Sequence, residues 1–209
     1  GAEIDLHDKD GHALNDSALV PACVQGRESI VKRLLAHGAD VNQTGSAPRQ
    51  GSDNVSISGT PITSILEAVE CIGVEPVGGI FLQSRVPAWL RVMETLIAAG
   101  ADVNKSNDRQ APIHFAVVST PPEFFEILIE AGAFLDVKDD EGNTPLSKAK
   151  EIGGRVKALL RAGAKADLPS HSLHYAVEWK HFEICKMLVE AGADLDTRDD
   201  RGRTPLQLA

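Results

Sequence analysis

The chain has 209 residues, of which 43% are hydrophobic, 24% charged and only 4% aromatic, and it carries a formal net charge of −9. Such proportions suit a soluble folded protein with an aliphatic, alanine-rich core, closer to packed helices than to a β-sandwich. The negative balance argues against general affinity for nucleic acid or an anionic membrane surface, and no apolar run approaches the roughly 18 residues of a membrane span.

In chain order, the opening "GAEIDLHDKDG" does not read as a signal peptide. "SALVPAC" from Ser17 is followed by Ile30, Val31, Leu34 and Leu35 at helical spacing, then by "GADVN" at 38–42. A polar stretch, "QTGSAPRQGSDNVSISG" (43–59), precedes "TPITSILEA" from Thr60. "CIGVEPVGGIFLQSRVP" (71–87) contains Pro76, Gly78, Gly79 and Pro87, and leads to a second "GADVN" at 100–104. "APIHFAV" from Ala111 precedes "GAFLD" at 132–136, and "TPLSKAK" from Thr144 precedes "GAKAD" at 163–167. "HSLHYAV" from His171, with Ile184, Met187 and Leu188 behind it, precedes "GADLD" at 192–196, and "TPLQLA" from Thr204 ends the chain.

Two elements therefore recur in fixed order. Thr144 stands one period after Ala111, and Thr204 stands the same period after His171. That spacing and the T-P-L-H-x-A signature resemble the ankyrin repeat, a β-turn plus two helices with a period of about 33 residues. The resemblance covers essentially the whole chain. It implies an all-α ankyrin-repeat solenoid of helix-turn-helix units with β-turn fingers, read as one domain over 1–209. Its divisions are a partial repeat at 1–10, repeats at about 11–43, 44–104, 105–138, 139–167 and 168–198, and a partial repeat at 199–209. The physics agrees. Thr as N-cap with Pro at the first helical position starts the short helix, and the Gly of each "GA" sits where a left-handed conformation ends the second. Neither end has a polar capping repeat, so a piece of a longer array is expected.

Departures from the period are specific to this chain. The stretch 43–59 lengthens one finger beyond the period and is expected to be a polar, mobile lip with a disordered tip. The segment 71–87 is extra to the period between the two helices of that same repeat. It is expected to decorate the opposite edge, its apolar residues packing back on the repeat. From Thr144 to His171 the chain falls short of a full period, which predicts irregular stacking near 163–171.

No residue set has catalytic spacing, so no enzyme activity and no catalytic residue are expected. His114 and His174 stand at the T-P-L-H position, where the resemblance implies imidazoles bonded to finger backbone. His171, His174 and His181 lack further ligands for zinc, and "DLDTRDDRGRTP" places Pro205 where a calcium loop needs Glu, so no metal is expected. "GRVKALLRAG" lacks the phosphate-loop ending, so no cofactor or small-molecule substrate is expected. Cys23, Cys71 and Cys185 read as reduced helix thiols in an intracellular protein, cytoplasmic or nuclear. Lys148, Lys150, Arg155, Lys157, Arg161 and Lys165, against Glu151 alone, read as a solvated helix face, with the Lys148 stem along the groove.

The resemblance implies protein recognition by finger tips and the ends of first helices. The candidates are Val24, Gln25, Val118, Ser119, Glu151, Ile152, Glu178 and Trp179 on helices, and Arg109, Gln110, Asp140, Glu141, Asn143, Arg201 and Arg203 on fingers. Trp179 leads, because Trp is the residue most enriched at binding hot spots. The expected partner is a protein or peptide, with the acidic fingers favouring a basic one, and the expected role is adaptor or scaffold. The alternative is a regulatory or targeting domain of a larger enzyme or channel. No nucleic acid and no membrane insertion are expected.

Overall fold

The computed structural model describes residues 14–48, 56–73, 78–107, 109–149, 153–166 and 172–209. The recurring pairs fold as two helices with a turn between units. In chain order the helices are α1 (Leu14–Val24), α2 (Glu28–Ala36), α3 (Pro61–Gly73), α4 (Gly78–Ala98), α5 (Pro112–Ser119), α6 (Pro122–Glu130), α7 (Pro145–Lys148), α8 (Gly153–Arg161), α9 (Ser172–Glu178), α10 (Phe182–Glu190) and α11 (Pro205–Leu208). The T-P-L segments start helices as their composition dictates: the Ser147 N–H donates to Thr144 Oγ1 and the Thr63 N–H to Thr60 Oγ1, each at 3.3 Å. At the exits Gly38, Gly100, Gly163 and Gly192 have φ of 88°, 88°, 99° and 86°. The alanine after each donates five residues back, as Ala101 N–H does to the Leu96 carbonyl at 2.9 Å. That left-handed glycine is the reason for the "GA" motif.

The last residue of "GADVN" binds the following unit. Asn42 Oδ1 accepts the Asp102 N–H at 2.7 Å, and in the later pair of units Asp136 Oδ1 accepts the Lys165 N–H at 2.9 Å. One short polar side chain thus satisfies the backbone of the next helix exit, which ties register to the motif.

The chain divides into two compact units, Gly1–Gly132 and Ala133–Ala209. In the first, α1, α3 and α5 pack in succession, and α2, α4 and α6 form the second layer. Its core includes Leu19, Ile62, Ile65, Leu66, Trp89, Met93, Leu96, Phe124 and Phe125, all buried. Trp89 also donates from Nε1 to the Val24 carbonyl at 2.9 Å, locking α4 to the end of α1.

Both insertions carry secondary structure in their described parts. Within 43–59, strand β1 (Gly45–Pro48) pairs antiparallel with β2 (Ser56–Gly59), Ala47 facing Ile57. Ile57 is 2% exposed, and α1 and α3 lie against β1. An apolar residue buried this way contributes about 2 kcal/mol, so the base of the hairpin is structural. The tip, 49–55, lies outside the described residues. In 71–87, residues 71–73 end α3 and residues 78–87 extend the second helix, giving α4 21 residues with Pro87 inside. Pro removes one intrahelical bond and costs about 3 kcal/mol. The buried face of Trp89, Val92, Met93 and Leu96, at i, i+3, i+4 and i+7, outweighs it.

In the second unit α8 packs on α7 and α10, and α9 on α10 and α11. Leu146, Val156, Leu159, Leu173, Ala176, Ile184 and Leu188 are buried between them. The irregularity expected at 163–171 falls largely on 167–171, outside the described residues.

Candidate partner-binding surface

Among the described residues, three fingers are each held by one acidic or amide side chain. In residues 133–209, Asp139 Oδ1 accepts the N–H groups of Glu141 (3.0 Å) and Asn143 (2.8 Å), and the Asp139 N–H donates to the Asn143 carbonyl at 2.9 Å. Asp199 repeats this with Arg201 (2.9 Å) and Arg203 (2.8 Å). Both turns close through a left-handed glycine, Gly142 and Gly202. In residues 1–132, Asn107 Oδ1 does the same for Arg109 (3.1 Å) and Gln110 (2.9 Å). Short side chains that bond their own turn are the reason Asp and Asn recur at this position.

The Arg203 backbone N–H, then its guanidinium, holds the Asp199 carboxyl down from 3.8 to about 2. His174 Nε2 donates to the Arg203 carbonyl at 2.9 Å, which joins α9 to that finger as the T-P-L-H resemblance implied. His114 Nδ1 accepts the Ala111 N–H at 3.2 Å at the start of α5.

The candidates divide by unit. In residues 133–209, Trp179 lies just past α9 and is 60% exposed, its ring centroid 5.7 Å from that of Tyr175. Glu178, Asp140, Glu141 and Arg201 are exposed, while Asn143 and Arg203 are half-buried and bonded within their turns. Glu151 and Ile152 lie outside the described residues. In residues 1–132, Val118 and Arg109 are exposed, Gln110 is half-buried, and Ser119 ends α5. Val24 is buried and Gln25 exposed.

Sequence reasoning missed Phe182, which is 77% exposed three residues after Trp179. Its signal was available: Phe182 falls off the stripe of Ile184, Met187 and Leu188. Between the two aromatics Lys180 holds φ 57°, the conformation that Gly26 takes at the same place after α1. Among the described residues no group of three or more His, Cys, Asp and Glu could hold a metal ion, and no helix is long and apolar enough to cross a membrane.

The family model "Ankyrin repeats (many copies)" matches residues 173–209, and the model "Ankyrin repeat" matches residues 15–46. Human B-cell lymphoma 3 protein is 32% identical over 146 residues, 64% of this chain and 32% of its own length. The Drosophila melanogaster E3 ubiquitin-protein ligase Ufd4 is 40% identical over 88 residues, 40% of this chain and 3% of its own. NF-kappa-B inhibitor alpha from Sus scrofa is 33% identical over 107 residues, 46% of this chain and 34% of its own. This chain thus spans about a third or less of these relatives. The crystal structure of the human ASB11 ankyrin repeat domain superposes with a TM-score of 0.63 at 24% identity, covering 100% of this chain and 82% of that one, a likeness of fold.

Proposed function

The chain is an ankyrin-repeat protein, and on that premise we propose that it binds a protein or peptide through its finger tips and first helices, as an intracellular adaptor without enzymatic activity of its own. The observation that carries this reading is Trp179, 60% exposed and stacked at a tilt on Tyr175. An aromatic held by a neighbour but open to solvent offers apolar area at small entropic cost, the property of a hot-spot residue. The exposed carboxylates of Asp140 and Glu141 support a basic segment in the partner, and Arg109 and Val118 are exposed candidates of residues 1–132 taken by themselves. The test is capture of a cross-linked partner, identified by mass spectrometry, with the native chain and with a Trp179→Ala/Arg109→Ala variant. Loss of about 2 kcal/mol or more of affinity is expected for a hot spot of this kind; unchanged recovery would sink the assignment.

A second reading has its own observation. The match to Ufd4 occupies 3% of a protein named as an E3 ubiquitin-protein ligase. In that reading these repeats are the regulatory or targeting domain of a larger enzyme or channel, and they recruit rather than react. The native full-length chain, sequenced at its gene, decides between the two.

A further inference from the structure

Two fingers of residues 133–209 share one construction and differ in sign. Asp139 and Asp199 each bind two N–H groups of their own turn, and each carboxylate has its own cation, Lys148 Nζ at 2.6 Å and Arg203 Nη2 at 2.8 Å. With those two carboxylates neutralised internally, the outward charge comes from other residues. Glu141 and Arg201 occupy the same place, two past the capping Asp and just before the left-handed glycine, and both are exposed. Glu141 Oε2 is steadied by Asn143 Nδ2 at 3.1 Å, and Arg198 folds its guanidinium onto the Gly202 carbonyl at 2.7 Å. Counting the exposed neighbours, Lys138, Asp140 and Glu141 leave one excess negative charge, whereas Arg198, Asp200 and Arg201 leave one excess positive charge.

The repeat formed by α9 and α10 stands between these fingers, since α8 packs on α10 and α9 on α11. At about 8–10 Å per helix layer the two tips lie roughly 20 Å apart. About six residues of extended chain span that distance. The first helix in between is α9, which carries Tyr175 and ends just before Trp179. Like charges brought together at a rim cost binding energy and fix register, so a pair of opposite tips distinguishes the two directions of a bound segment.

Resting on the binding reading above, we propose that this surface sets the direction of an extended partner segment that is basic at one end, apolar in the middle and acidic at the other. The basic end lies toward Asp140 and Glu141, and the acidic end toward Arg201 and Arg198. The probes are two fluorescein-labelled octapeptides of one composition and opposite order, Lys-Lys-Ser-Phe-Leu-Ser-Glu-Glu and its reversal, titrated by anisotropy at low salt against the whole chain. One order is expected to bind about tenfold tighter. The double variant Glu141→Arg/Arg201→Glu exchanges the signs on exposed positions and should transfer the preference to the other peptide, with its melting temperature unchanged. Equal binding of both orders, a preference that the exchange does not reverse, or no binding of either peptide up to millimolar concentration would overturn the proposal. A cross-linked partner lost with Trp179→Ala but captured equally by the double variant would overturn direction-setting alone and leave the binding reading standing.

Discussion

The Lys148 ammonium lies 2.6 Å from Asp139 Oδ2, a carboxylate whose side chain is fully buried, and the counterpart of Lys148 in the last repeat is Leu208. There the carboxylate of Asp199 takes its cation from Arg203, whose counterpart in the earlier finger is Asn143. The same acid is thus neutralised from the helix in one repeat and from the finger in the other.

Lys148→Leu should leave Asp139 buried without that cation and cost about 3 kcal/mol, because removing one partner of a covered pair strands the other charge. Adding Asn143→Arg places a guanidinium where Arg203 stands in the last finger and should recover most of the loss. Urea unfolding of the native chain and the two variants measures both. A single variant within about 1 kcal/mol of native by the same cost scale, or a double variant with no recovery, contradicts the exchange.

Lys180 and Gly26 give a paired prediction. A non-glycine residue at φ 57° is strained by roughly 1 kcal/mol or more. Lys180→Gly should therefore stabilise residues 133–209 by about 0.5–1 kcal/mol after the added freedom of the unfolded chain is subtracted. Gly26 has φ 68°, and a Cβ there would meet Ala88 Cβ at 3.1 Å. Gly26→Ala should destabilise by about 2 kcal/mol, from backbone strain and the close contact together. Equal and small effects in thermal melts would remove the argument that one position tolerates what the other forbids.

These positions also show what could be read from sequence. The left-handed glycines and the Thr–Pro helix starts were legible because each is decided within a few residues. The length of α4 was not legible for the opposite reason: Pro87 and Gly78 are local breakers, overridden by the burial of Trp89 and Leu96 against other helices. Ile57 stood in a polar stretch with no apolar spacing to mark it, since its burial follows from the pairing of β2 with β1 and its packing against α3. Of the proposed surface, Trp179 was legible as a candidate, but its exposure depends on tertiary packing that no spacing reports. The cation partner of Asp139 was hidden likewise, since its place on a helix outside the turn is fixed only by folding.

Asp199 gives a dependence on acid. Its carboxyl sits at about 2 in the folded chain against an ordinary 3.8, so the folded state binds fewer protons than the unfolded state in that window. The stability it contributes is complete above about pH 4 and is lost as pH falls from there toward 2. Asp199→Asn keeps an oxygen for the turn N–H groups but removes the titration. The fall in urea midpoint between pH 4 and 2 should be shallower in the variant than in the native chain. Parallel curves would show that the carboxylate, although bonded to Arg203, adds nothing to acid sensitivity.

The hairpin of 45–48 and 56–59 separates scaffold from tip. Pro48 pairs with Ser56, so the segment 49–55 can be replaced by Asn-Gly, a two-residue connection that suits paired strands. Shortening the connection to two residues lowers its closure cost by about 1 kcal/mol, so stability should not fall below native. Ile57→Ala, in contrast, empties a site that is 2% exposed, and should cost about 2–3 kcal/mol. Denaturant titration of both variants tests whether the insertion is anchored at its base. If Ile57→Ala is silent, the burial seen at β2 contributes nothing and the whole insertion is dispensable to the fold. If the shortened tip is stable but loses the cross-linked partner, the insertion belongs to the binding surface as well as to the scaffold.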